Sequence, residues 1–477
     1  MMPTGFGWIF LPLALFAVLT RGNIMTALLA ASTVIQAPAV FVIAVGGHGY
    51  GVTPFNVACA CAFFGLLIER RTNLQRMKEL SRDGFQNPLL MWMAFLLFSA
   101  LCSLILPHVF SAVGVHPALK SGDVSQETVP LVFGMANIAA AINTLCVATM
   151  LIWFVLEGSR NKGDRTAVLT LAAPLIVSVL ANLYQRGVYF GAYPLDFEFW
   201  GSNPSYNQSF HEPFYWLSFG RTALPFIEPS YAGAWFAATT IGSFSAFTFS
   251  KIGTGERRKW AIASMISLLC LLSTASTTGF MASALGLVML IGWVYWHRNT
   301  FSNEPRRLTP LALALLALLV GGVMMLLDWY LFRSSLLLGF RELVSFNLAK
   351  LKTNQWALGP RLWSTQRALA IFAETWGLGV GNGSVRSSSF LATLLASSGL
   401  VGLTLFSAAT WQLVRSLVAG VVRNPTVASL ALLSLATSFA SVFGAISDQL
   451  WPPMWLFVGT GLCFRASMDQ ELAKNKC

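Results

Sequence analysis

The amino-acid sequence predicts an all-α, polytopic membrane protein with twelve or thirteen transmembrane helices, in one integral domain over residues 1–477, with two long exported loops at 184–228 and 332–388. Three observations carry that fold class. Of the 477 residues, 55% are hydrophobic and only 10% charged, and the mean hydropathy of +0.64 is far too high for a soluble multidomain chain. Apolar runs of about 15 to 25 residues recur along nearly the whole length, each long enough to cross a hydrocarbon layer of ~30 Å as a helix. Most Lys and Arg residues fall in short connections on one side of those runs, which is the positive-inside pattern. The net charge of +12 therefore reads as topology in a lipid bilayer and not as a nucleic-acid surface.

The first apolar run, Phe6 to Leu19, has no basic residue before it and no clear cleavage site, so it reads as a retained span or a membrane-surface helix. Runs at 24–45 and 50–68 are separated by a turn at Gly46 to Gly49 and lead to Arg70, Arg71, Arg76, Lys78 and Arg82, which mark the cytoplasm. Spans at 88–106 and 130–156 enclose an exported loop and return to Arg160, Lys162 and Arg165. A span at 166–183 delivers the first long loop, Tyr184 to Glu228, with Arg186, Asp196, Glu198, His211, Glu212 and Arg221. Pro229 suits the first turn of the next span, 229–249, and Glu228 sits at the positive end of that helix, either as a capping carboxylate or as a base at the membrane mouth.

Spans at 260–275 and 279–296 form a hairpin turning at Ser273 to Gly279, and a span at 308–331 rises into the second long loop. Spans at 389–413, 426–446 and 452–464 close the chain, and its tail from Arg465 is cytoplasmic. The seven cysteines lie in spans or in the tail, a distribution that implies neither a disulfide framework nor a zinc site.

The second loop breaks the charge rule: Arg333, Arg341, Lys350, Lys352, Arg361, Arg367 and Arg386 face only Glu342 and Glu374. Long loops escape the rule, yet such an excess needs a use. Pro360 to Trp376 reads as a short amphipathic helix that stops against Gly377, Gly379, Gly381 and Gly383, and Ser387, Ser388 and Ser389 then cap the next span. Free N–H groups, hydroxyls and Arg361, Arg367 and Arg386 at one helix start describe a site for a diphosphate or another multiply charged oxyanion. No nucleotide-binding GxxxxGK[ST] motif is present, so the energy for any reaction comes with the substrate. A glycan on a polyprenyl diphosphate fits, with Glu228 as first candidate for the base and Glu374, Asp196 or His211 behind it. Asp196 and Glu198 form only an Asp-x-Glu pair, too few carboxylates for metal assistance.

Phe226 to Ser230 (PheIleGluProSer), Ser276 to Gly279, Arg361 to Trp363, Gly377 to Ser384 and Ser397 to Leu403 occur in an order that resembles the bacterial O-antigen ligase and Wzy-type polysaccharide polymerase superfamily, from about Tyr184 to Leu413. The resemblance implies a glycosyltransferase of the bacterial inner membrane, without metal or other cofactor, that moves a glycan from undecaprenyl diphosphate at the periplasmic face. Within that reaction the residues themselves make Glu228 and Arg367 the catalytic candidates, with Arg186, Arg221, Arg341, Arg361, Arg386, Gly381, Gly383 and Ser387 as candidates for binding substrate. Its partners would be the lipid-linked oligosaccharide, the bilayer, a flippase and a chain-length regulator. Ligases of this superfamily tend to carry a His where this chain has Arg386 to Ser389, a departure that favours a polymerase over a ligase. The competing class is a transporter, against which stands the scarcity of ionisable residues at mid-span.

Overall fold

The computed structural model describes residues 2–20, 22–45, 48–80, 87–115, 128–160, 163–192, 194, 196–204, 221–250, 254–297, 358–385, 387–444 and 450–474. Among them are fifteen helices and two small antiparallel sheets. The helices are α1 (Gly5–Thr20), α2 (Gly22–Ser32), α3 (Pro54–Ile68), α4 (Arg70–Leu80), α5 (Pro88–Val109), α6 (Met135–Arg160), α7 (Gly163–Tyr189), α8 (Phe197–Trp200), α9 (Pro229–Phe249), α10 (Gly255–Thr274), α11 (Thr277–His297), α12 (Leu358–Glu374), α13 (Phe390–Gly420), α14 (Pro425–Gly444) and α15 (Pro452–Lys474). Six of these, α5, α6, α7, α11, α13 and α14, are long and apolar enough to cross a membrane. The spans expected at 229–249, 260–275 and 452–464 are helical, as α9, α10 and α15, but are not among those six. The span expected at 308–331 lies outside the described residues.

Helix starts follow local chemistry. Proline occupies the first turn of α3, α5 and α9, and Thr53, Asn87, Thr254 and Ser389 accept hydrogen bonds from the first N–H groups of α3, α5, α10 and α13.

One expected span is corrected. The apolar run 24–45 does not continue as a helix, because α2 ends at Ser32 and the chain becomes extended. Strand β2 (Phe41–Val45) pairs antiparallel with β3 (His48–Val52), and β1 (Met2–Pro3) pairs with β2 on its other side. Pro38 interrupts helical hydrogen bonding, and Phe41, Val42, Ile43 and Val45 are β-branched or aromatic residues that favour a pleated strand. The second sheet pairs β4 (Gly114–Val115) with β5 (Val129–Pro130) and joins the end of α5 to the approach to α6.

The core sits around α9, whose residues from Tyr231 to Ser243 are all buried. It packs against α10, α11 and α14, while α15 packs on α6 and α7, and α13 packs on α5. Trp92, Phe406 and Trp455 meet edge to face with ring centroids 5.1–5.3 Å apart and tie α5, α13 and α15 together. Small residues set the helix spacing, as in membrane bundles generally. A Cβ on Gly242 of α9 would collide with Ser434 of α14, and one on Gly286 of α11 would lie 2.6 Å from the Thr437 hydroxyl. Away from those contacts Gly292 has open space around it.

Gly242→Leu is therefore expected to lower stability by about 1–3 kcal/mol or more. Gly292→Ala should leave it equal or raise it by about 0.5–1 kcal/mol through helix propensity. Thermal unfolding of the two purified variants in detergent checks both, and equal melting temperatures would contradict this packing.

Candidate functional site

The Gly-rich stretch and α13 form one unit. Helix α13 is broken at Gly399, whose φ of 65° and ψ of −164° no helical residue adopts. The break releases the carbonyls of Ala396 and Ser397, and Val380 N–H (2.7 Å) and Gly381 N–H (2.9 Å) donate to them. In return Leu400 N–H, at the restart of the helix, donates to the carbonyl of Gly377 (2.9 Å). The loop thus supplies the hydrogen bonds that the interrupted helix lacks, which irregular backbone deep in a bundle requires.

Gly381 and Gly383 are in the left-handed region, with φ of 86° and 85°. A Cβ on Gly381 would lie 2.5 Å from the carbonyl oxygen of Cys102 in α5, and one on Gly383 would run into that of Ala136 in α6. Their bare faces admit neighbouring helices. Asn382 donates through its side chain to Ser99 of α5, and Asn137 of α6 donates to the Asn382 carbonyl (3.0 Å) and the Ser384 hydroxyl (2.7 Å). Ser99 and Cys102 stand seven to ten residues before the end of α5, so the loop reaches about 10–15 Å along that helix.

Helix α12 covers 358–374, much as the periodicity predicts, with Pro360 in its first turn and Gly377 beyond its end. Arg367 forms a two-pronged ion pair with Glu374 (2.6 and 2.9 Å) and its Nε donates to the carbonyl of Gly114 in β4 (3.0 Å). Glu374, considered from sequence as a base, is thereby the counter-ion of Arg367. The Ser387 hydroxyl is engaged with Thr393 (2.9 Å) and the Ser389 carbonyl (2.8 Å), while Ser389 caps α13. Described side chains of the expected oxyanion site thus bond to one another and to the backbone. Arg341, Arg386 and His211 lie outside the described residues, as does the side chain of Arg361.

A second constellation gathers where α7, α9, α10 and α11 meet. Arg186, in the last turn of α7, donates to the Ser273 carbonyl (3.0 Å), and Arg221 donates through Nε to the neighbouring Thr274 carbonyl (3.2 Å). Those carbonyls end α10, where the helix dipole is negative and cations are favoured. Asn182, Thr222 and Ser273 exchange side-chain hydrogen bonds of 2.7–3.1 Å beneath them, and Gln185 accepts from Ala223 N–H (2.7 Å) and Leu224 N–H (2.9 Å). The approach to α9 is fixed by this network.

Glu228 occupies the N-cap position of α9 but its side chain makes no cap hydrogen bond. It accepts from the Ser230 hydroxyl instead (2.7 Å) and stays half-buried. Burial lowers the Arg221 guanidinium from its ordinary value to about 10, and the Glu228 carboxylate offsets part of that effect. Asp196 is a cap, accepting from Phe199 N–H (2.9 Å) at the start of α8, where Glu198 is exposed. No group of three or more His, Cys, Asp or Glu residues that could hold a metal ion occurs among the described residues.

The sequence signals single out Glu228 and both arginines but miss Ser230, the supporting Asn182–Thr222–Ser273 triplet and the break at Gly399. The last had a visible cue in the small-residue run Ser397, Ser398, Gly399 and Gly402. No family model matches this chain, and no curated protein matches its sequence.

Gly399→Ala should cost about 1–3 kcal/mol, because an L residue is strained at this backbone angle and its Cβ would meet the backbone of residues 377 and 378. Hydrogen exchange should then accelerate at Val380, Gly381 and Leu400 together; acceleration at Leu400 alone would mean that loop and helix are not one unit.

Proposed function

We propose that this protein is a Wzy-type polymerase, which transfers a glycan from undecaprenyl diphosphate onto a second lipid-linked repeat unit at the periplasmic face of the bacterial inner membrane. The observation that carries the reading is Glu228, a carboxylate at a helix start whose side chain makes no capping bond and accepts from the Ser230 hydroxyl instead. Such a group is available as a general base. In the reaction, an acceptor sugar hydroxyl attacks the anomeric carbon of the donor and passes its proton to Glu228. The C–O bond to the diphosphate breaks, and its electron pair leaves on the phosphate oxygen. Arg221 and Arg186, fixed at the end of α10, provide positive charge near that developing anion. Residues 184–228 and 332–388 lie on the periplasmic side in this reading, and Arg367 serves the site by holding α12 onto β4 through the Gly114 carbonyl, with Glu374 of its own helix as counter-ion.

A transporter is the second reading, favoured by the interruption of α13 at Gly399, since broken helices build transporter sites. The break is closed by the chain's own Val380, Gly381 and Gly377, which weighs for a structural role.

Glu228→Gln is expected to keep normal protein level and donor binding, while turnover falls by about 10²–10⁴. The assay is purified protein with one lipid-linked repeat unit, in which wild type yields a ladder of longer glycans. Unchanged ladders from Glu228→Gln would remove it as the base, and extension that appears only with lipid A core would replace the polymerase by a ligase.

Topology has its own check. An impermeant maleimide applied to whole cells should label Glu198→Cys and spare the native Cys477; the reverse pattern inverts the orientation.

A further inference from the structure

Helix α12 buries one face and leaves another bare. Ala368 and Ile371 pack into a small core with Val380, Val385, Ala392 and Ala396. On another face Leu362 and Leu369 are exposed, at a spacing of seven residues that stacks them along one line of the helix with Gln366 between them, and Trp376, in the turn two residues beyond the helix with a φ of 58°, is exposed as well. Trp376 is 90% exposed. Leu378 is exposed in the same turn, and the Leu400 N–H bond to Gly377 sets that turn beside Leu400 and Val401, themselves exposed on the membrane-length helix α13. An apolar surface continuous across two elements marks a contact and not solvent.

The direction of α12 follows from its contacts. Near its start the Ser364 hydroxyl lies 3.3 Å from that of Ser388, which directly precedes α13, and beyond its end Gly377 bonds Leu400. Helix α12 therefore runs alongside the first part of α13 in the same direction, and its end lies about 15 Å along that helix. From there 378–385 turn back through the contacts with α5 and α6.

We propose that α12 and the loop after it form a re-entrant hairpin, with Leu362 and Leu369 of α12 and Trp376 in the turn beyond it covered by lipid acyl chains and Trp376 deeper in the bilayer than Leu362. This rests on the reading of α13 as a membrane span. Lipid is the occupant because the face continues the exposed apolar surface of α13, and because the polar pair Arg367–Glu374 points to a different side of α12, toward β4. The irregular backbone at its tip is tolerated because it is buried between α5, α6 and α13. A lipid-linked substrate would then meet the hairpin from within the membrane.

Spin labels on Leu362→Cys, Leu369→Cys and Trp376→Cys, in a background with the native cysteines replaced by alanine and in liposomes, test this through collisions with oxygen and with a water-soluble nickel chelate. Oxygen access should rise and nickel access fall from 362 to 376. A flat profile, or access to nickel at all three sites, overturns the hairpin, as does shielding from both reagents, which would mean that protein covers the face. A label on Leu101→Cys, exposed on α5, separates the causes: lipid exposure there with water at 376 sinks the hairpin alone, and water at both sinks the membrane reading with it. Where the cysteine-free background fails to fold, p-benzoylphenylalanine at position 376 of the otherwise native chain should capture lipid on illumination, and absence of lipid adducts overturns the proposal.

Discussion

Every backbone N–H and C=O inside an apolar bundle must find a partner from the protein itself, since each one left alone costs about 1–3 kcal/mol and hydrocarbon supplies none. The break at Gly399 shows how far that requirement reaches. Interrupting α13 releases two carbonyls and an N–H, and the chain answers with Val380, Gly381 and the carbonyl of Gly377. That answer is possible only where the loop lies flat against α13, and α5 and α6 close over it at the bare faces of Gly381 and Gly383. Asn137, Asn382 and Ser99 then lock the loop to both helices. One backbone irregularity thereby dictates the arrangement of three membrane-length helices and α12.

The same rule shapes the other end of the site. Helix α10 stops inside the protein, so its last carbonyls need donors, and Arg186 and Arg221 provide them. This gives both arginines fixed positions whatever else they bind. It also holds positive charge beside the start of α9, where Glu228 takes the N-cap position without performing the cap. The two constellations differ: around Gly377 to Ser389 the described polar side chains bond to one another and to the backbone, whereas the Glu228 carboxylate accepts from the Ser230 hydroxyl in the first turn of α9 and caps none of that helix's N–H groups.

Much of this molecule is legible along the chain because its causes are local. Apolar runs, prolines at first turns and Ser, Thr or Asn ahead of them determine where helices lie, and the starts of α5, α9, α13 and α14 fall within a residue or two of their expected positions. The failure at 24–45 has a local cause as well, since hydropathy is blind to the difference between an apolar helix and an apolar strand, and Pro38 with Phe41 to Val45 carried the needed signal.

By itself, then, the sequence determined an apolar helical chain with basic connections, an acid at a helix start and a Gly-rich stretch beside arginines, because composition, periodicity and capping act over a few residues. Only the tertiary structure decided what those groups touch. The bond of Arg367 to Gly114, 253 residues away, the use of Gly381 to admit α5, and the meeting of Arg221 with the end of α10 all depend on which elements pack side by side. Packing is set by the sum of many weak contacts and by the demand that each buried polar group be paired, and neither quantity is written in any single stretch of residues.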